Sequence, residues 1–256
     1  TGPDAAMPDG KTAKPDTTPP SPDAGFTGPV KWGTPMSMGG NKPATAGIKP
    51  AFPNAVAVDS TGNTLITGYF TGVSTLGTHS VTSLGGTDIF VAKLSPALTW
   101  SWAVSGGSSI GYEDGLDVAT GPGGKVYMAG LFEANATFGT ASLNSKGMAD
   151  GVVSLLSSTG SFSWSNSMGG TQMDTASGVV VGGNGDVYVC GDFSGKATFG
   201  SFTRTSTGGQ DLFVAKLNAA GKYQWVQTAG SVTGDERCAD LVVSGAGIVT
   251  VAGMYK

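Results

Sequence analysis

The chain has 256 residues, enough to bury a sizeable core as one large domain or two smaller ones. Its 43 glycines and 12% charged residues disfavour long helices, where each glycine costs roughly 1 kcal/mol against alanine, and point to a turn-rich all-β protein. A net charge of −4 with no Lys/Arg cluster argues against nucleic acid and against an anionic membrane surface as partners, and no apolar run approaches the ~20 residues that span a bilayer.

Residues 1–30, TGPDAAMPDGKTAKPDTTPPSPDAGFTGPV, hold seven of the 13 prolines and little to bury beyond Met7 and Phe26. Such a segment cannot offset its ordering entropy, so the expectation is an extended, semi-stiff tether. A stalk of this kind suits an exported lipoprotein, with the acylated cysteine upstream of residue 1. The expected location is extracytoplasmic: the outer membrane, the cell surface or the periplasm.

From Trp32 onward the sequence repeats. A lone strand is expected at 31–40, followed by the Pro-rich lead-in NKPATAGIKPAFPN. The first full unit then offers four strands: A near 55–58, B near 63–70, C near 88–95 and D near 99–105. GGTDIFVAKL at 85–94 returns as GGQDLFVAKL at 208–217. Asp88, Asp150 and Asp211 stand 62 and 61 residues apart, as do Trp102, Trp164 and Trp225. Gly68, Gly130, Gly191 and Gly253 keep the same period. The segments around them are short, rich in Val, Leu, Phe and Tyr, and bounded by Gly, Asn, Asp or Ser, as strands are. Both faces of IFVAKL are largely apolar, as in a sheet covered on both sides. Four antiparallel strands per repeat of 61–62 residues is the pattern of a β-propeller blade. A flat solenoid is the runner-up, but its repeats are usually shorter.

The phrase D-[IL]-F-V-A-K-L, then W, then GG, then V-D-S-T-G-N and V-Y-V-x-G resembles the bacterial SBBP repeat, a family named for seven-bladed β-propellers. The resemblance covers about residues 32–256. It implies a propeller fold and an exported bacterial protein, and nothing about activity. The second unit departs from it, with DGVVSLL in place of DxFVAKL. Three full units and strands A and B of a fourth are present, so the propeller domain at 31–256 is expected to be incomplete at its C-terminal end. A four-blade ring closed by the strand at 31–40, or a ring shared between chains, are the other arrangements.

The repeated aspartates Asp88, Asp150 and Asp211 are expected to cap turns by accepting backbone N–H bonds two residues on. The repeated tryptophans are expected to pack between blades. DSTGN at 59–63 is a turn and not a calcium loop. An acidic position recurs at the D-to-A connections, Glu113, Asp174 and Glu236, flanked by Tyr112, Asp114, Asp235 and Arg237. Carboxylates converging at a channel mouth there would bind Ca²⁺, or the hydroxyls of a sugar. The competing expectation is a solvated rim, or carboxylates satisfied by backbone amides. His79 is the only histidine, which excludes a His-based zinc site within one chain, and no GxSxG elbow is present. No catalytic residue is therefore named. Cys190 and Cys238 fall on adjacent repeats, where either a disulfide or two separate buried thiols is natural.

The functional expectation is a surface-displayed scaffold that binds a protein or a carbohydrate through variable loops, with B-to-C loops at 71–84, 133–149 and 194–210. The alternative is a lyase or hydrolase using a cation held at the acidic mouth.

Overall fold

The computed structural model describes residues 51–256, which belong to one compact unit, Ser37–Lys256. The expected tether at 1–30, the strand expected at 31–40 and the first part of the Pro-rich lead-in lie outside the described residues. What is described is all-β with antiparallel sheets, plus one short 3-10 turn at Pro122–Gly124.

The repeat becomes a four-stranded module. In the first, β1 (Ala51–Val58) pairs with β2 (Thr64–Phe70). A separate hairpin follows, β3 (Val73–Leu76) and β4 (His79–Thr82). Then β5 (Asp88–Leu94) pairs with β2 on one side and β6 (Trp100–Ser108) on the other. The second module runs β7 (Asp114–Gly121), β8 (Lys125–Phe138), β9 (Ala141–Leu156) and β10 (Phe162–Gly170), each pairing with the next. The third repeats this with β11 (Thr175–Val181), β12 (Val187–Phe199), β13 (Phe202–Leu217) and β14 (Tyr223–Ala229). A fourth begins with β15 (Arg237–Val243) and β16 (Val249–Met254). The first strands neighbour one another: β7 packs on β1 and β11, and β11 on β15.

The glycine marker has a backbone cause. In every module the first strand carries an irregularity that skips one residue: Asn54, Leu116, Ser177 or Ala239. Pro53, which has no N–H to give a ladder, sits at the first of these. The carbonyl two positions before each skipped residue turns onto the second strand. A Cβ at Gly68, Gly130, Gly191 or Gly253 would stand 1.9 to 2.2 Å from the carbonyl oxygens of Phe52, Asp114, Thr175 and Arg237.

The B-to-C segments at 71–84, 133–149 and 194–210 are not the variable loops expected of them. They are hairpins. In the second and third modules the second and third strands run on past a bulge and meet at a two-residue turn. Gly77, Gly139 and Gly200 open these turns at φ 60°, 63° and 58°, and Thr or Ser follows, which matches the twist of an antiparallel pair. Ala134 takes the left-handed bulge position at φ 54°, where the other modules use Gly72 and Gly195. Each extension lies along the last strand of the module before it. Gly107 and Ser108 pair with Thr137 and Ala136, and Met168, Gly169 and Gly170 pair with Phe199, Thr198 and Ala197.

The tryptophans join modules, as expected of them. Trp102 Nε1 donates to Ser158 O at 3.0 Å and Trp164 Nε1 to Ala219 O at 3.2 Å, each reaching the turn before the next module's last strand. The core between modules is aromatic: Phe193, Phe199 and Phe213 pack on one another with Tyr127 in the same cluster. Of the two readings of the cysteines, the bridge is the one formed. Cys190 on β12 and Cys238 on β15 are disulfide-bonded with their Cα atoms 5.9 Å apart.

Candidate functional site

The repeated aspartates are buried caps, but of the loop behind them. Leu84 N–H donates to Asp88 Oδ2 at 3.1 Å, Lys146 N–H to Asp150 Oδ1 at 3.4 Å, and Thr207 N–H to Asp211 Oδ1 at 3.1 Å. The donor lies four residues upstream in each module, not two downstream. The carboxyl carbons of Asp88, Asp150 and Asp211 lie 2.0 to 2.8 Å from where a Cβ on Gly107, Gly169 and Gly230 would stand. This is why a glycine recurs five residues after each of Trp102, Trp164 and Trp225.

The second acidic series, Glu113, Asp174 and Glu236, is also buried. Their N–H groups donate to Thr87 O, Ala149 O and Gln210 O at 3.1, 2.8 and 2.8 Å. Their carboxylates accept from Ser108 N, Gly170 N and Ser231 N at 3.1, 2.7 and 3.0 Å. Asp174 takes a further bond from Ser194 N at 3.0 Å. The satisfaction by backbone amides weighed in the sequence is realised here. The three do not gather: among the described residues no group of three or more His, Cys, Asp or Glu side chains is placed to share a metal.

Instead the two series meet at the junctions between modules. A Cβ on Gly107 would stand 2.5 Å from Asp88 Oδ2 and 2.9 Å from Glu113 Oε2. One on Gly169 would stand 2.7 Å from Asp174 Oδ2 and 2.9 Å from Asp150 Oδ1. Burial, reinforced by the charge of Asp174, pushes Asp150 up to about 7; burial pushes Asp174 up to about 6. Both groups hold protons more tightly folded than unfolded, where the usual value is 3.8. The stability this contributes is present below pH 4 and is lost as pH rises through 6 to 7. The melting temperature is therefore expected to fall between pH 5 and pH 8. Asp150→Asn, which keeps the acceptor and removes the charge, flattens that slope by on the order of 3 kcal/mol. Thermal melts across this range check it.

A different chemistry occupies the non-repeated positions at one end of the first strands. Phe52, Asp114, Thr175 and Arg237 are equivalent by register, opposite Tyr69, Leu131, Asp192 and Met254. Tyr112 Oη donates to Asp114 Oδ2 at 3.0 Å and Asn54 Nδ2 to Asp114 Oδ1 at 2.6 Å. Burial raises Asp114, with those two bonds opposing it. Burial and the bond to Asp114 push the Tyr112 phenol up to about 12. The ring of Tyr69 lies between two others, stacked 5.1 Å from Phe52 and tilted 6.1 Å from Tyr112. Phe52 and Tyr112 are 46% and 40% exposed, so this aromatic row meets solvent.

The second group centres on Asp192, which accepts from Thr175 Oγ1 at 2.9 Å and Gln210 Nε2 at 3.2 Å. Burial raises it, the charge of Arg237 lowers it and that of Asp235 raises it. Asp235 also accepts from Gln210 N at 3.1 Å. So Tyr112 and Asp114 form one group, and Asp235 and Arg237 another around Asp192, while Glu113, Asp174 and Glu236 turn into the junctions. Asn54, Tyr69, Asp192 and Gln210 escaped the sequence. Their signal was a break in the repeat: Asp192 directly follows marker Gly191, where the other modules carry Tyr69, Leu131 and Met254. His79 starts β4, half-buried, with Nε2 3.2 Å from Trp100 O. DSTGN is a turn closed by Asp59, whose Oδ1 accepts from Thr61 N and Asn63 N at 2.9 Å. No protein-family model and no curated protein matches the chain.

Proposed function

We propose that the chain is part of an exported β-propeller of the SBBP-repeat kind, with each four-stranded module a blade, and that it binds carbohydrate at the open end of its first strands. The modular pairing order, the contact between successive first strands and the tryptophans that join modules all support blades around an axis. The disulfide supports an oxidising, extracytoplasmic compartment.

The observation that carries the binding role is the aromatic row Phe52–Tyr69–Tyr112 beside the Asp114 carboxylate and the Asn54 amide. Exposed rings offer apolar faces to sugar C–H groups, and the Asp114 carboxylate, which takes one bond on each oxygen from Asn54 and Tyr112, keeps lone pairs that accept from hydroxyls. Divergent residues on a repeated frame are how a shared fold acquires a site. The competing enzyme reading rests on a cation shared by Glu113, Asp174 and Glu236, which the described residues hold in separate junctions. An array of neutral and acidic oligosaccharides, followed by calorimetry on the best one, tests the proposal. Tyr112→Ala is expected to weaken binding about tenfold, equivalent to about 1.4 kcal/mol. An array without a ligand, or one whose ligand binds Tyr112→Ala and Asp114→Ala unchanged, overturns it.

A further inference from the structure

The residue four positions before each repeated aspartate differs between modules: Leu84, Lys146 and Thr207. Thr207 gives Asp211 its hydroxyl as well as its N–H, at 3.3 Å to Oδ2. Lys146 sets an ammonium whose charge favours the ionised forms of both Asp150 and Asp174. Leu84 gives Asp88 only an N–H. Asp88 is 0% exposed and its Oδ1 has no hydrogen-bond partner; Asp150 Oδ2 is likewise unpartnered, whereas both Asp211 oxygens accept.

Glu113, beside it, is also 0% exposed and takes part in neither of the ion pairs formed among the described residues, Lys93–Asp59 and Lys216–Asp186. Ser108 Oγ stands 2.7 Å from Glu113 Oε1 and also against the Ile110 carbonyl oxygen, so one hydroxyl proton faces two acceptors. The surroundings add more oxygen. The carbonyls of Ser108 and Ser109 close on Gly85, and that of Gly111 closes on Gly86. Glu133 accepts from Tyr112 N at 3.2 Å. This junction therefore holds two buried carboxyls, surplus acceptors and no basic side chain among their hydrogen-bond partners.

We propose that the Asp88–Glu113 junction holds a hard divalent cation, Ca²⁺ by its ligand chemistry, between the loop at 83–87 and the turn at 109–113. An all-oxygen setting with two carboxylates and backbone carbonyls is what Ca²⁺ takes, and its tolerant geometry suits ligands drawn from two loops better than the strict octahedron of Mg²⁺. The other two junctions are built-in comparisons: Lys146 brings a cationic charge to the second, and Thr207 fills the Asp211 oxygens of the third with its N–H and hydroxyl. Both bounding loops reach solvent, with Leu84 and Ile110 exposed, so an ion has a route in.

The test is calorimetry and thermal melting of the intact chain at pH 8, stripped with chelator and titrated with CaCl₂. A single ion per chain and a rise in melting temperature are expected. Leu84→Lys, at an exposed position, copies the second module. It is expected to fold, to weaken Ca²⁺ binding at least tenfold and to raise the melting temperature without calcium. Lys146→Leu copies the first module and is expected to add a second ion. A melting temperature indifferent to Ca²⁺ overturns the proposal, and a stabilisation that appears only on acidification assigns the junction to a proton instead. Calcium binding that survives Leu84→Lys unchanged also overturns it, by placing the ion elsewhere.

Discussion

Gly191→Ala is expected to destabilise the protein by about 4 kcal/mol, at the upper end of what single substitutions do. The new methyl would stand 1.9 Å from Thr175 O and 2.8 Å from a ring carbon of Phe213. Neither neighbour can yield. The carbonyl belongs to the irregular start of β11, and Phe213 is fully buried among Phe193 and Phe199. Gly183→Ala is the control, because a Cβ there meets nothing within 4 Å and its φ is not left-handed. It is expected to change stability by no more than about 0.5 kcal/mol. Urea denaturation midpoints of the two variants decide the matter, and similar losses from both would refute the carbonyl contact as the reason for the glycine marker.

Breaking the Cys190–Cys238 bond is expected to cost about 4 kcal/mol, from the chain entropy of a loop closed across 48 residues. The double variant Cys190→Ala with Cys238→Ala is the suitable form, since other modules carry Ala129 and Ala252 at the first position and Ala176 at the second. The loss should be local before it is global. The hairpin β15–β16 pairs only with itself, and Val242, Ile248 and Met254 on it are exposed. It is held by the disulfide, by a small cluster of Tyr188, Cys190, Cys238 and Leu241, and by the packing of β15 on β11. Hydrogen exchange should therefore show residues 237–254 losing protection in the reduced protein while β7 to β10 keep theirs. Uniform loss along the chain would mean that the bridge stabilises the whole and not this hairpin.

The period of 61–62 residues was plain in the sequence because its markers answer to backbone geometry. Gly68, Gly130, Gly191 and Gly253 face a carbonyl that tolerates no side chain, and such a constraint repeats with the fold. The hairpin extensions were harder to see. Residues such as Ser142 and Asn144 are exposed on a ladder with little behind them, so their polar composition looks like that of a loop. The signal was the Gly-Thr or Gly-Ser turn, present in all three modules. For the candidate site, Tyr112 and Asp114 stood out as unique polar residues. Asn54 did not, since its bond to Asp114 spans 60 residues and depends on how neighbouring first strands align. The acidic series stays apart for a physical reason: a shared period places residues at equivalent points of different modules, not beside one another.

The hairpins that the second and third modules lay along the last strand of the module before them make the array directional. Each of these joints needs an overlap piece from the later copy and a landing strip from the earlier one. Any duplicated stretch of 61–62 codons, wherever it is cut, carries one of each. The gene can thus gain or lose whole repeats without designing a new joint, and the chemistry at the open end can diverge one copy at a time.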